Sequence, residues 1–154
     1  MPIPSWLIIG LIALVVVQIS NLTTPEGRRW FNRLRRPPWL TFEWAIPLIW
    51  TTIVIFGVWS AYLVWETAQS WPLMGGYLLV EVTIMSYTPL MCNWKSLLTG
   101  TLIGATGTLF GAILALLVFP VNPTATLLLV PYLLWSPIGT YVTWEMIRLN
   151  PNNA

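Results

Sequence analysis

From Ser96 to Trp144 the chain runs for 49 residues without one charged side chain. A straight helix of that length would reach ~74 Å at ~1.5 Å per residue, more than twice the ~30 Å hydrocarbon core of a bilayer. The break falls at Pro120-Val121-Asn122-Pro123, where each proline removes a backbone donor and restricts the residue before it. Two spans result. Two more uncharged runs extend from Pro4 to Leu22, ahead of the first charge at Glu26, and from Trp44 to Trp65, between Glu43 and Glu66. A stretch from about Trp71 to Met91 carries one internal acid, Glu81. The expected fold is an all-α membrane protein, a single domain built as a five-transmembrane-helix bundle. Its spans lie at about 4–22, 43–65, 71–91, 97–119 and 123–147.

Composition closes off the alternatives. The chain is 56% hydrophobic and 8% charged, against about 25% charged in a soluble domain. A soluble fold this small cannot hide so much apolar surface. The runs are continuous, not alternating, which speaks against a β-barrel. The first segment has no basic n-region and no A-x-A site before Glu26, so it reads as a span and not as a cleaved leader. There is no histidine, which removes the usual haem axial ligand, the usual general base and the commonest zinc ligand. The lone cysteine, Cys92, excludes an intramolecular disulfide and a multi-cysteine metal site. No cofactor is expected, and no acid–base or nucleophile constellation supports hydrolysis or group transfer.

Basic residues set the orientation. With five crossings, Arg28, Arg29, Arg33, Arg35 and Arg36 in loop one, Lys95 in loop three and Arg148 near the C-terminus all fall on one side. The positive-inside rule then places the C-terminus in the cytoplasm and the N-terminus on the opposite side of a multi-pass integral membrane protein. In so apolar a chain these charges do not point to nucleic acid; they meet anionic lipid head groups or a ligand's carboxylates.

Loop one, residues 23–42, carries Trp30, Phe31 and Leu34 on one face of a short helical turn and Arg29, Arg33 and Arg36 on another. It reads either as a lid over the bundle mouth or as an interfacial anchor. Of the eleven tryptophans, Trp6, Trp39, Trp44, Trp65, Trp71 and Trp94 sit near span ends, where the aromatic belt accounts for them. Trp50, Trp59, Trp135 and Trp144 need another reason. Trp50 and Trp135 occupy the same halves of spans two and five, so they are expected to face each other across a cavity that stacks a flat apolar ligand. In span four, Gly100, Gly104, Gly107 and Gly111 form a stripe for close helix packing, within the bundle or at a dimer face. Glu81 is expected to face the interior, protonated or hydrogen-bonded to hydroxyls such as those of Thr83, Ser86 or Tyr87.

The last span reads Pro131-Tyr132-Leu133-Leu134-Trp135-Ser136-Pro137-Ile138-Gly139-Thr140-Tyr141-Val142-Thr143-Trp144, then Arg148-Leu149-Asn150. It resembles the fifth helix of the translocator protein family, also called tryptophan-rich sensory proteins or peripheral-type benzodiazepine receptors, with its pattern P-Y-L-x-W-x-x-F-A-x-x-L-N. Trp30-Phe31 followed by Arg36-Pro37-Pro38-Trp39 is similar to the family's loop-one W-Y…K-P-x-W, and Trp50 fits the tryptophan that opens its second helix. The resemblance implies a five-helix bundle, commonly a homodimer, whose pocket opens toward loop one and takes porphyrins, sterols or synthetic aromatic drugs. By position it implies ligand-binding roles for Trp50 and Trp135, with Phe31, Pro37, Trp39 and Gly139 around them; Trp30 and Arg33 join from the same loop.

The chain departs from the family at Leu40-Thr41 (Pro-Pro there), Ile84 (the third-helix Asn), Ile103 (near the helix-four acid) and Thr143 (the fifth-helix Asn). Trp144 replaces the tyrosine of the sterol pattern, which counts against sterols. The resulting expectation is a membrane sensor or carrier for metal-free porphyrin or an open-chain bilin, with loop-one arginines on the propionates. Two other classes stand beside it. One is a porphyrin-degrading enzyme that uses light and oxygen, as the resemblance to some bacterial relatives implies. The other is a membrane assembly protein built on the glycine stripe.

Overall fold

The computed structural model describes residues 2–154. Its helices are α1 (Ser5–Val17), α2 (Pro25–Asn32), α3 (Ile46–Ala68), α4 (Trp71–Asn93), α5 (Leu97–Val118), α6 (Pro123–Leu128) and α7 (Val130–Leu149). Tight 3-10 turns at Gln18–Leu22 and Glu43–Ala45 extend α1 and lead into α3. Local chemistry sets the starts. Thr24, Ser70, Ser96 and Asn122 each accept a hydrogen bond from the backbone N–H three residues on, at 3.0, 3.3, 3.1 and 3.1 Å. Each cap satisfies a donor that the first turn leaves free and contributes roughly 1 kcal/mol. Pro25, Pro72 and Pro123 follow three of these caps, where a missing N–H does no harm.

Four stretches are long and apolar enough to cross a membrane: Ser5–Leu22, Glu43–Ala68, Leu97–Val118 and Pro123–Leu149. The fifth expected span, α4, has the length at 23 residues but not the apolarity, because Glu81, Thr83, Ser86, Tyr87 and Thr88 interrupt it. Span boundaries shift by a few residues from those read in the sequence. The span expected at 123–147 corresponds to Pro123–Leu149, which is α6 and α7 separated by a break at Leu129. Pro131 lacks the N–H that would bond the carbonyl four residues back, so the helix restarts.

Hydrogen bonds show which segments share an end of the bundle. The Asn93 side chain accepts from the Thr24 backbone N–H at 2.8 Å and donates to the Leu22 carbonyl at 3.0 Å. The Lys95 ammonium pairs with Glu26, and Asn150 bonds both backbone groups of Arg35. Loop one, the α4–α5 turn and the C-terminus therefore meet at one end, which gathers every basic residue. At the other end Ser5 donates to Glu66, and the Asn122 side chain donates to Thr67 at 3.0 Å.

The glycine stripe of α5 faces the chain's own helices. A methyl group added at Gly111 would lie 2.3 Å from the Tyr132 ring, at Gly104 2.5 Å from the Thr140 hydroxyl and at Gly100 2.4 Å from the Met91 sulfur. The stripe is bundle packing, filled by α7 at Gly104 and Gly111 and by α4 at Gly100. One buried cluster joins Val64, Leu114, Val118, Ala125, Leu129, Tyr132 and Trp135 in the bundle centre. A second lies beneath loop one, where Leu34 and Leu40 pack against Met91, Leu97, Val142 and Met146.

Candidate functional site

Loop one is held over the bundle by its own side chains. Arg36 donates from Nη1 to the Phe31 and Leu34 carbonyls at 2.7 and 3.0 Å and from Nε to Glu43 at 3.1 Å. Its guanidinium lies 4.2 Å from the centre of the Phe31 ring, close enough for a cation–π contact. α2 begins against the end of α4, where a side chain at Gly27 would lie 2.7 Å from the Cys92 carbonyl oxygen. Asn150, buried at the end of α7, bonds the Arg35 N–H at 2.9 Å and its carbonyl at 3.0 Å. The end of the last helix thus ties down the loop.

Beneath the loop lies a cavity of about 760 Å³ walled by α3, α4, α5 and α7. Trp50 and Trp135 both line it, together with Phe31, Arg36, Leu40 and Gly139. Trp135 is buried, with the Phe42 ring edge-on at 6.2 Å between centroids. Gly139 leaves the neighbouring wall bare beside the Trp135 indole nitrogen, which is 3.5 Å from where a methyl would sit. Tyr87 and Thr143 hydrogen-bond to each other across α4 and α7 on the cavity wall. Ser136 and Thr108 do so between α7 and α5 at 2.6 Å.

Four of the eight sequence-predicted site residues therefore meet in one cavity: Trp50, Trp135, Phe31 and Gly139. The other four surround it without lining it. Trp30 donates its indole N–H to Asn153 at 2.9 Å. Trp39 stacks on Tyr141, centroids 6.0 Å apart; Pro37 is buried, and Arg33 caps the end of α2, exposed. Of the arginines, only Arg36 reaches the cavity, because α2 ends at Asn32 and the expected helical face of Arg29, Arg33 and Arg36 does not continue. Trp59 and Trp144 point outward, about half exposed. Leu40, Tyr87 and Thr143 are cavity residues that the sequence reading did not assign to the site. The signal was present for Thr143 and Leu40 as departures from the family pattern.

Glu81 faces the interior as expected but does not bond the hydroxyls named for it. Thr83 and Ser86 return their hydroxyls to the Leu79 and Val82 carbonyls, and Tyr87 bonds Thr143. At roughly 100° per residue these three lie about 140–240° around α4 from Glu81, and mid-helix hydroxyls favour the carbonyl four residues back. The Glu81 Oε1 atom is buried with no partner. Outside the helix bundle, Glu26 at the start of α2 is held below its usual value of 4.5, chiefly by its hydrogen bond and charge attraction to Lys95.

Comparison with known proteins places the chain among named relatives. The chain is 28% identical over 123 residues to a tryptophan-rich sensory protein of Cereibacter sphaeroides, covering 80% of this chain and 78% of that one. It is 27% identical over 147 residues to the translocator protein of Bos taurus, covering 85% and 80%. With translocator protein 2 of Mus musculus the identity is 30% over 126 residues, covering 74% of each. Residues 7–149, nearly the whole chain, match the pattern of the TspO/MBR family, and the chain belongs to that family.

Proposed function

We propose that this member of the TspO/MBR family crosses the membrane five times and binds a tetrapyrrole or similar flat aromatic molecule between Trp50 and Trp135. The observation that carries the reading is the cavity of about 760 Å³ that both indoles line. Its size falls within the roughly 300–1,000 Å³ of small-molecule sites, and it is largely apolar with a few polar groups, as such sites are. Residues 23–42 act as its lid, with Phe31 and Leu40 on the inner side. Arg36 is the cation within reach of a ligand carboxylate, and its Nη2 is the arm that the loop contacts leave for that purpose. Anionic lipid head groups meet the exposed Arg28, Arg29 and Arg33.

Five crossings are supported by α4, which runs from the Glu66–Ser70 end to the basic end and is long enough at ~1.5 Å per residue to span ~30 Å. The basic end is then cytoplasmic, with the C-terminus, and the N-terminus lies opposite. The working form is a homodimer that associates through a face other than the α5 glycines. The α5 glycines do not support the scaffold reading, since Tyr132, Thr140 and Met91 already occupy the stripe.

Titration of the purified protein with protoporphyrin IX, followed by tryptophan fluorescence in the dark and under illumination, tests the reading. Saturable quenching with an unchanged porphyrin spectrum is expected. A new product spectrum under light would replace binding with porphyrin breakdown as the function; no saturable signal would overturn both.

A further inference from the structure

A second cavity, about 410 Å³, lies between α1, α3 and α4, toward the end of the bundle away from the basic residues. It touches the first at Trp50, Val54, Ile84, Met85 and Tyr132 but does not include Trp135. Its wall is mostly apolar; Ser5, Tyr77 and Tyr132 add hydroxyls, and Glu81 is its one ionisable carboxyl, with Oε1 buried and unpartnered. No lysine or arginine lines it.

The void has a local cause. Gly57 of α3 and Gly75 of α4 both line it, and a methyl group added at either would meet no atom within 4 Å. The α5 glycines are required by neighbours in contact; these two are not. A helix-interior glycine costs about 1 kcal/mol relative to alanine, so two that touch nothing keep space open and do not pack helices. Trp50, Trp65, Trp71 and Tyr77 supply aromatic faces around that space. At its outer rim Ser5 donates to Glu66, the one charged side chain at that end.

We infer that this cavity is a second ligand site, for an amphiphilic amine whose ammonium pairs with Glu81 and whose apolar body lies against the tryptophans. A carboxylate with one oxygen buried and unpartnered is costly to keep, and a bound cation lowers that cost while supplying the missing donor. The aromatic faces add cation–π attraction for the same charge. Hydrocarbon guests and lipid tails fill the volume but leave Oε1 unpaired, and a neutral alcohol can donate to it but brings no charge.

The probe pair is 1-naphthylmethylamine and 1-naphthylmethanol, which share an aromatic body and differ in the charged group. Both are titrated into purified full-length protein in detergent at neutral pH, by calorimetry. Saturable binding of the amine at least tenfold tighter than the alcohol is expected in the unaltered protein. Glu81→Gln should remove that preference, and Gly57→Leu should block both probes by filling the void. Trp135→Ala, in the other cavity, should leave amine binding intact while weakening porphyrin, so this site and the porphyrin site fail independently. Equal affinity for the two probes in the unaltered protein would overturn the inference without any variant. So would an amine preference that persists in a folded Glu81→Gln protein, or amine binding lost with Trp135→Ala.

Discussion

Arg36 shows why a residue's type and position in the sequence did not reveal its role. It reads as one of five loop-one cations, yet its side chain is only 20% exposed and holds two carbonyls and one carboxylate. Hydrogen bonds to a charged group contribute about 1.5–3 kcal/mol, so Arg36→Gln should lower the melting temperature measurably and loosen porphyrin binding. Arg29→Gln and Arg33→Gln should change neither by more than the error of the measurement. Glu26 tests the opposite case, an exposed pair. Its folded value lies below the ordinary 4.5, so the contribution of its charge is present above that pH and fades as the pH falls through the lowered value. Because the side chain is exposed, the contribution is small. The Glu26→Gln variant should melt slightly below the unaltered protein at neutral pH, and the difference should vanish in acid. Trp50 and Trp135 were legible from their matching span positions and the family resemblance; lying away from the aromatic belt was not enough, since Trp59 and Trp144 share that feature and point outward. Leu40 and Thr143 showed only as departures from the family pattern, and Tyr87 not at all, since nothing in an ordinary leucine or hydroxyl announces which cavity it faces.

Helices were legible where charge and proline mark them, and less so where tertiary contact decides. The starts at Pro25, Trp71, Leu97 and Pro123 follow cap residues that the sequence displays. The break at Leu129 is set by Pro131, two residues further on, and was hidden inside an apolar run that charge spacing treats as continuous. The α5 glycines were visible as a stripe, but only packing shows that α7 and α4 fill it. That yields a paired prediction. Gly111→Ala forces a methyl to within 2.3 Å of the Tyr132 ring, and overpacking of this kind costs about 1–3 kcal/mol; its melting temperature should fall. Gly75→Ala adds a methyl to open space and should hold or raise stability, by up to about 1 kcal/mol from helix propensity. Thermal unfolding of both variants in one detergent checks the contrast, and equal losses would mean that the two glycines do the same work.

The whole chain is a bundle whose ends differ in charge, and that asymmetry was readable before any contact was known. Every basic residue falls at the end where loop one, the α4–α5 turn and the C-terminus meet. Reporters fused at the two termini should therefore give opposite sides of the membrane, the C-terminal one cytoplasmic. Finding both on one side would remove α4 from the spans, the helix whose polar residues make its crossing the least evident. The cavity follows from the same architecture: α3 and α7 bring Trp50 and Trp135 to the basic end, and the loop closes over them. Stacking on an indole contributes about 0.5–1.5 kcal/mol beyond the area it buries, and ~1.4 kcal/mol is one decade of affinity. The direct measurement is the dissociation constant of protoporphyrin IX for the unaltered protein, Trp50→Ala, Trp135→Ala and Trp65→Ala, all verified as folded. Losses of roughly tenfold or more in the first two variants, with Trp65→Ala unchanged, are what the shared cavity predicts. Unchanged affinity in both Trp50→Ala and Trp135→Ala would contradict it.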